Sequence, residues 1–457
     1  MSKKILMLLF LLFPLIVGLA CLSSAPDPTA TPREPLLPTE DLLLVPTSEA
    51  TPTIEQQAPQ GTQQPIDLVQ LDQRFWTQDG SHVFVGYMFE NPLSDLVFED
   101  VEFTVTLVGF SGNLIETDIF LMPWFFADQT MAVVSNFWLA DESVVVDSVE
   151  IDWTFSGTSP ADDMANPFKT DSIIYWDNAS FPNVSGKIVN NQSTTFKDIR
   201  ANILCYNGAD EIIGGGYTFI DFIHLNDYMG FITYVDVFGD VARVEVFPTL
   251  TYSTQFIEKT DFLSDISIQE VYFYEDNYQS IYGGLVAKNE TKHTLRNSLF
   301  YVTFYDKDDH ITSTGSAYID LLLPGEALGV VPWFFTQPDD AISTRRDILI
   351  LPGESEPDYE LAANPFTVNS AALTEGDNHT VRVNFTNTLS KQVSEVDVFV
   401  LVYNADGQII GGGKDWTSES IPPGGASEIE VWVTYAWSET IDAVKAWIAP
   451  NTWTEFE

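Results

Sequence analysis

Beyond Ile66 the chain alternates apolar and polar residues with period two. Val101, Phe103, Val105 and Leu107 point one way and Glu102, Thr104 and Thr106 the other, the pattern of a strand with one buried face. Val396, Val398, Val400 and Val402 alternate in the same way with Asp397, Phe399 and Leu401. β-Branched and aromatic residues fill these runs, and turn signals such as Asp-Gly, Asn-Gly and Pro-Gly recur every eight to twelve residues. No stretch of twelve residues carries a capped stripe of helical period; Asp339–Arg345 predicts at most one short helical turn. The pattern predicts an all-β fold.

A repeated turn punctuates the strands. Tyr403–Gly413 (Tyr-Asn-Ala-Asp-Gly-Gln-Ile-Ile-Gly-Gly-Gly) has a twin 197 positions earlier at Tyr206–Gly216, with weaker relatives at Tyr305–Gly315 and around Gly109–Ile115. An asparagine that closes an apolar strand falls at Asn91, Asn190, Asn289 and Asn387, at spacings of 99, 99 and 98. A second mark, at Met131, Met229, Leu328 and Ser427, opens a late strand in each unit and keeps the same register. Asn-Pro-Phe recurs at Asn166–Phe168 and Asn364–Phe366. Two independent marks in one register define an internal repeat of about 98 residues written four times. Units two and four, which share Ile-Ile-Gly-Gly-Gly, suggest a two-domain block that was itself doubled.

The expected organisation is four tandem β-sandwich domains of immunoglobulin-like type, at 66–164, 165–262, 263–362 and 363–457. About a hundred residues with six or seven short strands suit such a sandwich. The paired cysteines of antibody domains are absent, so apolar burial, at about 25 cal/mol per Å², must hold each one together. The strand that runs into Tyr-Asn or Tyr-Asp before a turn (Phe399–Asn404, Phe300–Asp306), preceded by Gly-x-x-x-Asn and followed by Pro-Gly, resembles the FxLYD-type domain of bacterial envelope proteins. The resemblance extends over all four units, and the first departs most, with Leu107-Val108-Gly109 where Tyr-Asp is expected. It implies a non-catalytic β-sandwich module of secreted and lipid-anchored proteins, and no chemistry.

The amino-terminal segment reads differently. Lys3-Lys4 followed by the apolar run Ile5–Ala20 has the form of a signal peptide, 1–20, and sixteen residues are short for a membrane span. Val-Gly-Leu-Ala-Cys resembles a bacterial lipobox, which implies cleavage before Cys21 and diacylglycerol on its sulfur. Residues 21–65 form the lipidated cysteine and a tether: nine prolines fall between Leu22 and Pro65, among Thr, Ser, Gln and Glu. Such a segment reaches roughly 40 Å as a coil and roughly 130 Å as polyproline. Its one apolar run, Leu42-Leu43-Leu44-Val45, is a candidate for docking on the first domain. The expected location is extracytoplasmic, in a bacterial cell envelope, with the membrane as partner through Cys21 and an envelope or extracellular protein or glycan as the second partner.

A formal charge of −46 without any long Lys/Arg cluster excludes nucleic acid as a partner and disfavours anionic membrane surfaces. With only Cys21 and Cys205 there is no disulfide framework. His82, His224, His293, His310 and His379 stand apart from one another in sequence and offer no metal spacing. Gly-x-Ser-x-Gly is missing. The triple glycine Gly411–Gly413, followed by Lys414-Asp415, lacks the arrangement of a phosphate loop and reads as a bulge or a close approach of another backbone. No cofactor is expected; calcium is the least improbable ion, at Asp306, Asp308 and Asp309, or at Asp162-Asp163 and Asp339-Asp340. The sequons at Asn178, Asn183, Asn191, Asn289, Asn378 and Asn384 would matter only in a eukaryotic secretory path. Eleven tryptophans raise an alternative, a carbohydrate-binding or hydrolase-accessory surface protein that uses an exposed aromatic patch. Trp124 and Trp416 are the candidates for it, with Phe125, Phe126 and Trp453 nearby in character, whereas the equivalent strand positions of Trp333 and Trp432 predict core. The leading expectation is a lipid-anchored binding or structural scaffold without catalysis.

Overall fold

The computed structural model describes residues 69–456 except 162–163, 178–180, 258–264, 277–279, 335–341, 358, 360, 375 and 377–378. The signal peptide, Cys21, the tether with its Leu42–Val45 run, both aspartate pairs at 162–163 and 339–340, and the sequons at Asn178 and Asn378 lie outside the described residues. The first three residues of the expected helical turn at 339–345 do too; 342–344 are not helical and Arg345 opens a strand. The fold is all-β; among the described residues there is no helix, and so none long and apolar enough to cross a membrane.

The strands form eight antiparallel sheets in four successive pairs. In the first pair β1 (Val69–Asp79), β2 (His82–Glu90) and β5 (Thr130–Trp138) face β3 (Leu96–Gly109), β4 (Leu114–Phe125), β6 (Val146–Thr154) and β7 (Gly157–Pro160). In the second, β8 (Phe168–Trp176), β9 (Asn183–Asn190) and β12 (Tyr228–Tyr234) face β10 (Thr195–Tyr206), β11 (Ile212–Ile223), β13 (Asp236–Val237), β14 (Arg243–Thr249) and β15 (Gln255–Ile257). The third sets β16 (Ile266–Glu275), β17 (Ile281–Asn289) and β20 (Ala327–Val330) against β18 (Thr294–Tyr305), β19 (Ile311–Leu322), β21 (Trp333–Phe334), β22 (Arg345–Leu351) and β23 (Glu354–Glu356). The fourth sets β24 (Phe366–Leu373), β25 (Thr380–Asn387) and β28 (Ala426–Trp432) against β26 (Val393–Tyr403), β27 (Ile409–Thr417), β29 (Thr434–Tyr435) and β30 (Ala443–Phe456).

Each pair closes over side chains that alternate inward from both sheets, the arrangement of a β-sandwich. Val101, Phe103, Val105 and Leu107 meet Val83, Val85 and Phe89 in the first, and Val396, Val398, Val400 and Val402 meet Val381, Val383 and Phe385 in the fourth. The alternation read from the sequence is therefore the inward face. In the fourth pair the other face is covered as well: Phe399, Leu401 and Tyr403 are also buried, for a reason given below.

The asparagines that mark the repeat are buried staples. Asn91, Asn190, Asn289 and Asn387 are all within 1% of complete burial. Each side-chain amide donates to two carbonyls from different segments: Leu96 and Phe126 at 2.9 Å, Thr194 and His224 at 2.7 and 3.0 Å, His293 and Leu322 at 2.8 Å, Lys391 and Ile421 at 2.9 and 3.0 Å. Each Oδ1 accepts the N–H two residues on, from Leu93, Gln192, Thr291 and Leu389. Only a side chain with both a two-proton donor and an acceptor satisfies this set, which explains why one residue type recurs. It also places Asn289 beyond the reach of a glycan.

The glycines mark a crossing. In pairs two, three and four the late strand begins in the three-stranded sheet and ends by pairing with the larger one, Gly214 opposite Val237, Gly315 opposite Phe334 and Gly411 opposite Tyr435. A Cβ on Gly413 would lie 2.0 Å from the carbonyl oxygen of Trp432; on Gly216 it would lie 3.0 Å from that of Tyr234, and on Gly315 3.1 Å from that of Trp333. Glycine is required where one backbone lies on another, and a bulge at Cys205/Tyr206, Phe304/Tyr305 and Val402/Tyr403 adjoins it.

Candidate functional site

The most elaborate polar chemistry lies where one sheet pair meets the next. In the first three pairs the outer face of the three-stranded sheet packs on the outer face of the larger sheet that follows. Between pairs one and two, Phe84, Met88, Ala132 and Val134 bury against Leu204, Tyr206 and Ile212. Between three and four, Val286 meets Leu401, Tyr403 and Ile409, with Trp447 partly covered. The approach is close: a Cβ on Gly230 would lie 2.6 Å from Cγ2 of Thr303, and one on Gly284 2.7 Å from Cδ2 of Leu401.

The tyrosine of the repeated turn sits in each junction. Tyr206, Tyr305 and Tyr403 are 0%, 1% and 3% exposed. Each lies beneath a cation: Arg243 at 3.8 Å from the first ring, Arg345 at 4.0 Å from the second, Lys445 at 4.6 Å from the third. Each hydroxyl has a polar partner. Tyr206 donates to Glu245 at 2.9 Å, Tyr305 to the Tyr228 hydroxyl at 3.4 Å, and Tyr403 to Glu270 at 3.1 Å. Burial, with the neighbouring carboxylate at Tyr206 and Tyr403 and the hydroxyl of Tyr228 at Tyr305, raises all three phenols, so they remain neutral donors. The next residue builds the turn. Asn207, Asp306 and Asn404 each accept two backbone N–H groups through Oδ1, an Asx turn.

Charged groups cross the junctions. Lys187, 7% exposed, bonds Asp309 at 2.5 Å and lies over the rings of Tyr228 and Tyr305; Lys187 holds the Asp309 carboxyl below its usual range, with Arg345 adding to the effect. Arg200, buried, donates to the Val134 carbonyl at 2.6 Å and stacks 4.0 Å from Tyr217. Lys445 reaches Glu270 at 2.9 Å and depresses it. Lys187 is the buried member of its pair, whereas Asp309, Lys445 and Glu270 are about half exposed, so solvent screens both ion pairs.

The turn acids expected for calcium are partly drawn together. Ligand atoms of Asp306, Asp308 and His310 lie within 4.8 Å of one another, and His310 is the member that sequence spacing did not offer. Their atoms already have protein partners: the backbone and the His310 ring for Asp306, and Lys307 for Asp308. Asp309 belongs to the junction. The remaining histidines stay apart, and His224 donates its Nε2–H to the Ile350 carbonyl of the next pair, 3.0 Å away, with burial lowering its basicity. Cys205 is buried and its thiol is pushed up to about 12 by desolvation.

The tryptophans sort differently from expectation. Trp124 is half-buried and packs edge-on against Phe256 of the second pair; Phe125 and Phe126 are core. Trp416 and Trp453 are open, at 57% and 75% exposure. Trp333 and Trp432, expected in the core, are 75% and 60% exposed. Their shared register reflects the strand crossing, in which the backbone and not the ring is packed. Compared with the models of known protein families and with curated proteins, the chain matches none.

One junction group titrates near neutrality. Glu326 receives the side-chain amide of Asn364, which opens the fourth pair, and the N–H of Leu323; burial pushes its carboxyl up from 4.5 to about 7. At the same place in the first pair stands Gln129, a neutral carboxamide. A raised carboxyl pKa means that the folded state holds the proton more tightly than the unfolded chain, so stability falls as pH rises from 4.5 to about 7 and stays reduced above. Glu326→Gln is expected to abolish that fall, with a gain of about 2 kcal/mol at pH 8 and almost none at pH 4, by urea unfolding. Parallel pH profiles for the two proteins would contradict this assignment.

Proposed function

We propose that this chain is a lipid-anchored, extracytoplasmic scaffold of a bacterial cell envelope, built of four tandem immunoglobulin-like sandwiches of FxLYD type and working as a binding or structural element without catalysis. Its segments are a signal peptide at 1–20, the lipidated Cys21 with the tether to 65, and sandwiches at 66–164, 165–262, 263–362 and 363–457. The observation that carries the reading is the junction chemistry. A buried tyrosine under a cation, repeated at three successive boundaries, holds modules in fixed relative positions, and fixed position is what a scaffold or spacer supplies. Flexibly linked domains have no need of it, because inter-domain surfaces of mobile modules are small and polar.

The lipobox resemblance supports the anchor, and the acidic surface supports a role outside the reach of nucleic acid. Two or three acyl chains on Cys21 would hold the chain at a membrane, since each buried methylene contributes about 0.8 kcal/mol. Mass spectrometry of the mature amino terminus is expected to show diacylglycerol-modified Cys21 as the first residue; an unmodified terminus, or release by high salt alone, rejects the anchor. Spin labels on Ser111 and Ser427, in the first and last sandwiches, are expected to give one narrow distance distribution by pulsed electron resonance. A broad distribution spanning tens of ångströms would reject the fixed scaffold.

A further inference from the structure

Three rings occupy one equivalent position and are not needed where they are. Tyr234 and Trp432 close β12 and β28 opposite Asn183 and Thr380, and Trp333 opens β21 opposite Ser316, each at the point where the late strand crosses between sheets. The fold uses the backbone of these residues, whose carbonyls lie on Gly216, Gly315 and Gly413. Any side chain would serve that purpose. Nevertheless the position is aromatic three times, and the rings are 43%, 75% and 60% exposed. Large exposed aromatic surface recurring at one structural position points to a ligand more than to packing.

Around Trp432 the rings gather. His379 lies nearly parallel to it, with centroids 5.2 Å apart and planes at 15°, and Tyr435 and Trp437 stand 5.4 and 5.7 Å from the same imidazole. Trp437 is 72% exposed. The first pair has its own version two residues along, where Trp138, 69% exposed, stacks on His82 at 4.4 Å and 25°. In both cases the imidazole supports a tryptophan from one side, so that the ring is fixed while its surface stays open to solvent.

We propose that these rings are stacking platforms for the sugar rings of a neutral or amino polysaccharide, with Trp432 and Trp437 as the principal site and Trp333 and Tyr234 as weaker ones. The flat apolar face of a pyranose, lined with C–H groups, matches an open indole face, and a fixed ring loses little entropy on binding. Platforms distributed one to a sandwich suit a polymer, whose successive units engage several weak sites and gain avidity. The charge selects among polymers: a chain of net −46 repels polyanions and tolerates neutral or cationic sugars. This site is distinct from Trp124, which is packed between two sandwiches, and from Trp416.

The test is depletion of the full chain, held in a polyoxyethylene detergent, by insoluble cellulose, chitin and curdlan. At least one polymer is expected to deplete it, and the variant Trp333→Ala/Trp432→Ala/Trp437→Ala is expected to lose about tenfold or more in partition. Trp416→Ala/Trp453→Ala, equally exposed elsewhere, is expected to bind as the parent does. Circular dichroism and thermal melting verify that both variants are folded; if the triple variant is not, Trp437→Ala alone, on a turn, replaces it with an expected loss of about threefold. No depletion by any of the three polymers overturns the proposal, as does depletion that survives loss of the rings or falls equally in the control variant.

Discussion

The interaction on which the rest depends is a neutral phenol buried between two sheets that belong to different sandwiches. A tyrosine is suited to it because its ring fills an apolar gap while its hydroxyl reaches the polar rim. Burial leaves that hydroxyl in need of a partner, and the structure supplies one each time, from Glu245, Tyr228 or Glu270. The cation above the ring adds a further attraction that strengthens as water is excluded. Because Tyr206, Tyr305 and Tyr403 open the turn of their own sheets, the residue that shapes each module also seats its neighbour.

This constraint gives the stack a direction, and it is met differently in the first and fourth pairs. In the first pair the tyrosine position is Val108 and its cross-strand partner is Ser148 where Arg243 and Arg345 stand elsewhere. The outward row on β4 is instead Leu114, Ile119 and Leu121, all exposed. At the other end, the outer face of β25 and β28 contains no glycine. Arg382 there pairs with Glu428 and Glu430 at 3.2 and 2.9 Å, and Asn369 bonds Asn384 and Thr386.

Much of this was legible in the sequence because the repeat could be compared with itself. The asparagine register, the Tyr-Asn turn and the triple glycines were each visible, and each has one structural cause in every sandwich where it occurs. The departure of the first unit was visible too, although its meaning required the junctions. What the pattern did not convey is which face of a two-sided strand is covered. Phe399 and Leu401 alternate with the valines of β26 and were read as its outer row, but the preceding sandwich buries them as well. Conversely, the common position of Trp333 and Trp432 was read as core because equivalence usually means packing. Here the equivalence belongs to a carbonyl lying on a glycine, a feature that leaves no mark on side-chain hydropathy.

The central claim is that the buried tyrosines couple neighbouring sandwiches into one cooperative body. Urea unfolding followed sandwich by sandwich with pulsed hydrogen exchange tests it most directly, comparing the parent with Tyr206→Ala/Tyr305→Ala/Tyr403→Ala. The account predicts coincident loss of protection in the parent and separate transitions, each at lower urea, in the variant. Sandwiches that already unfold independently in the parent, or a variant that keeps one coincident transition at the parent's midpoint, would contradict it.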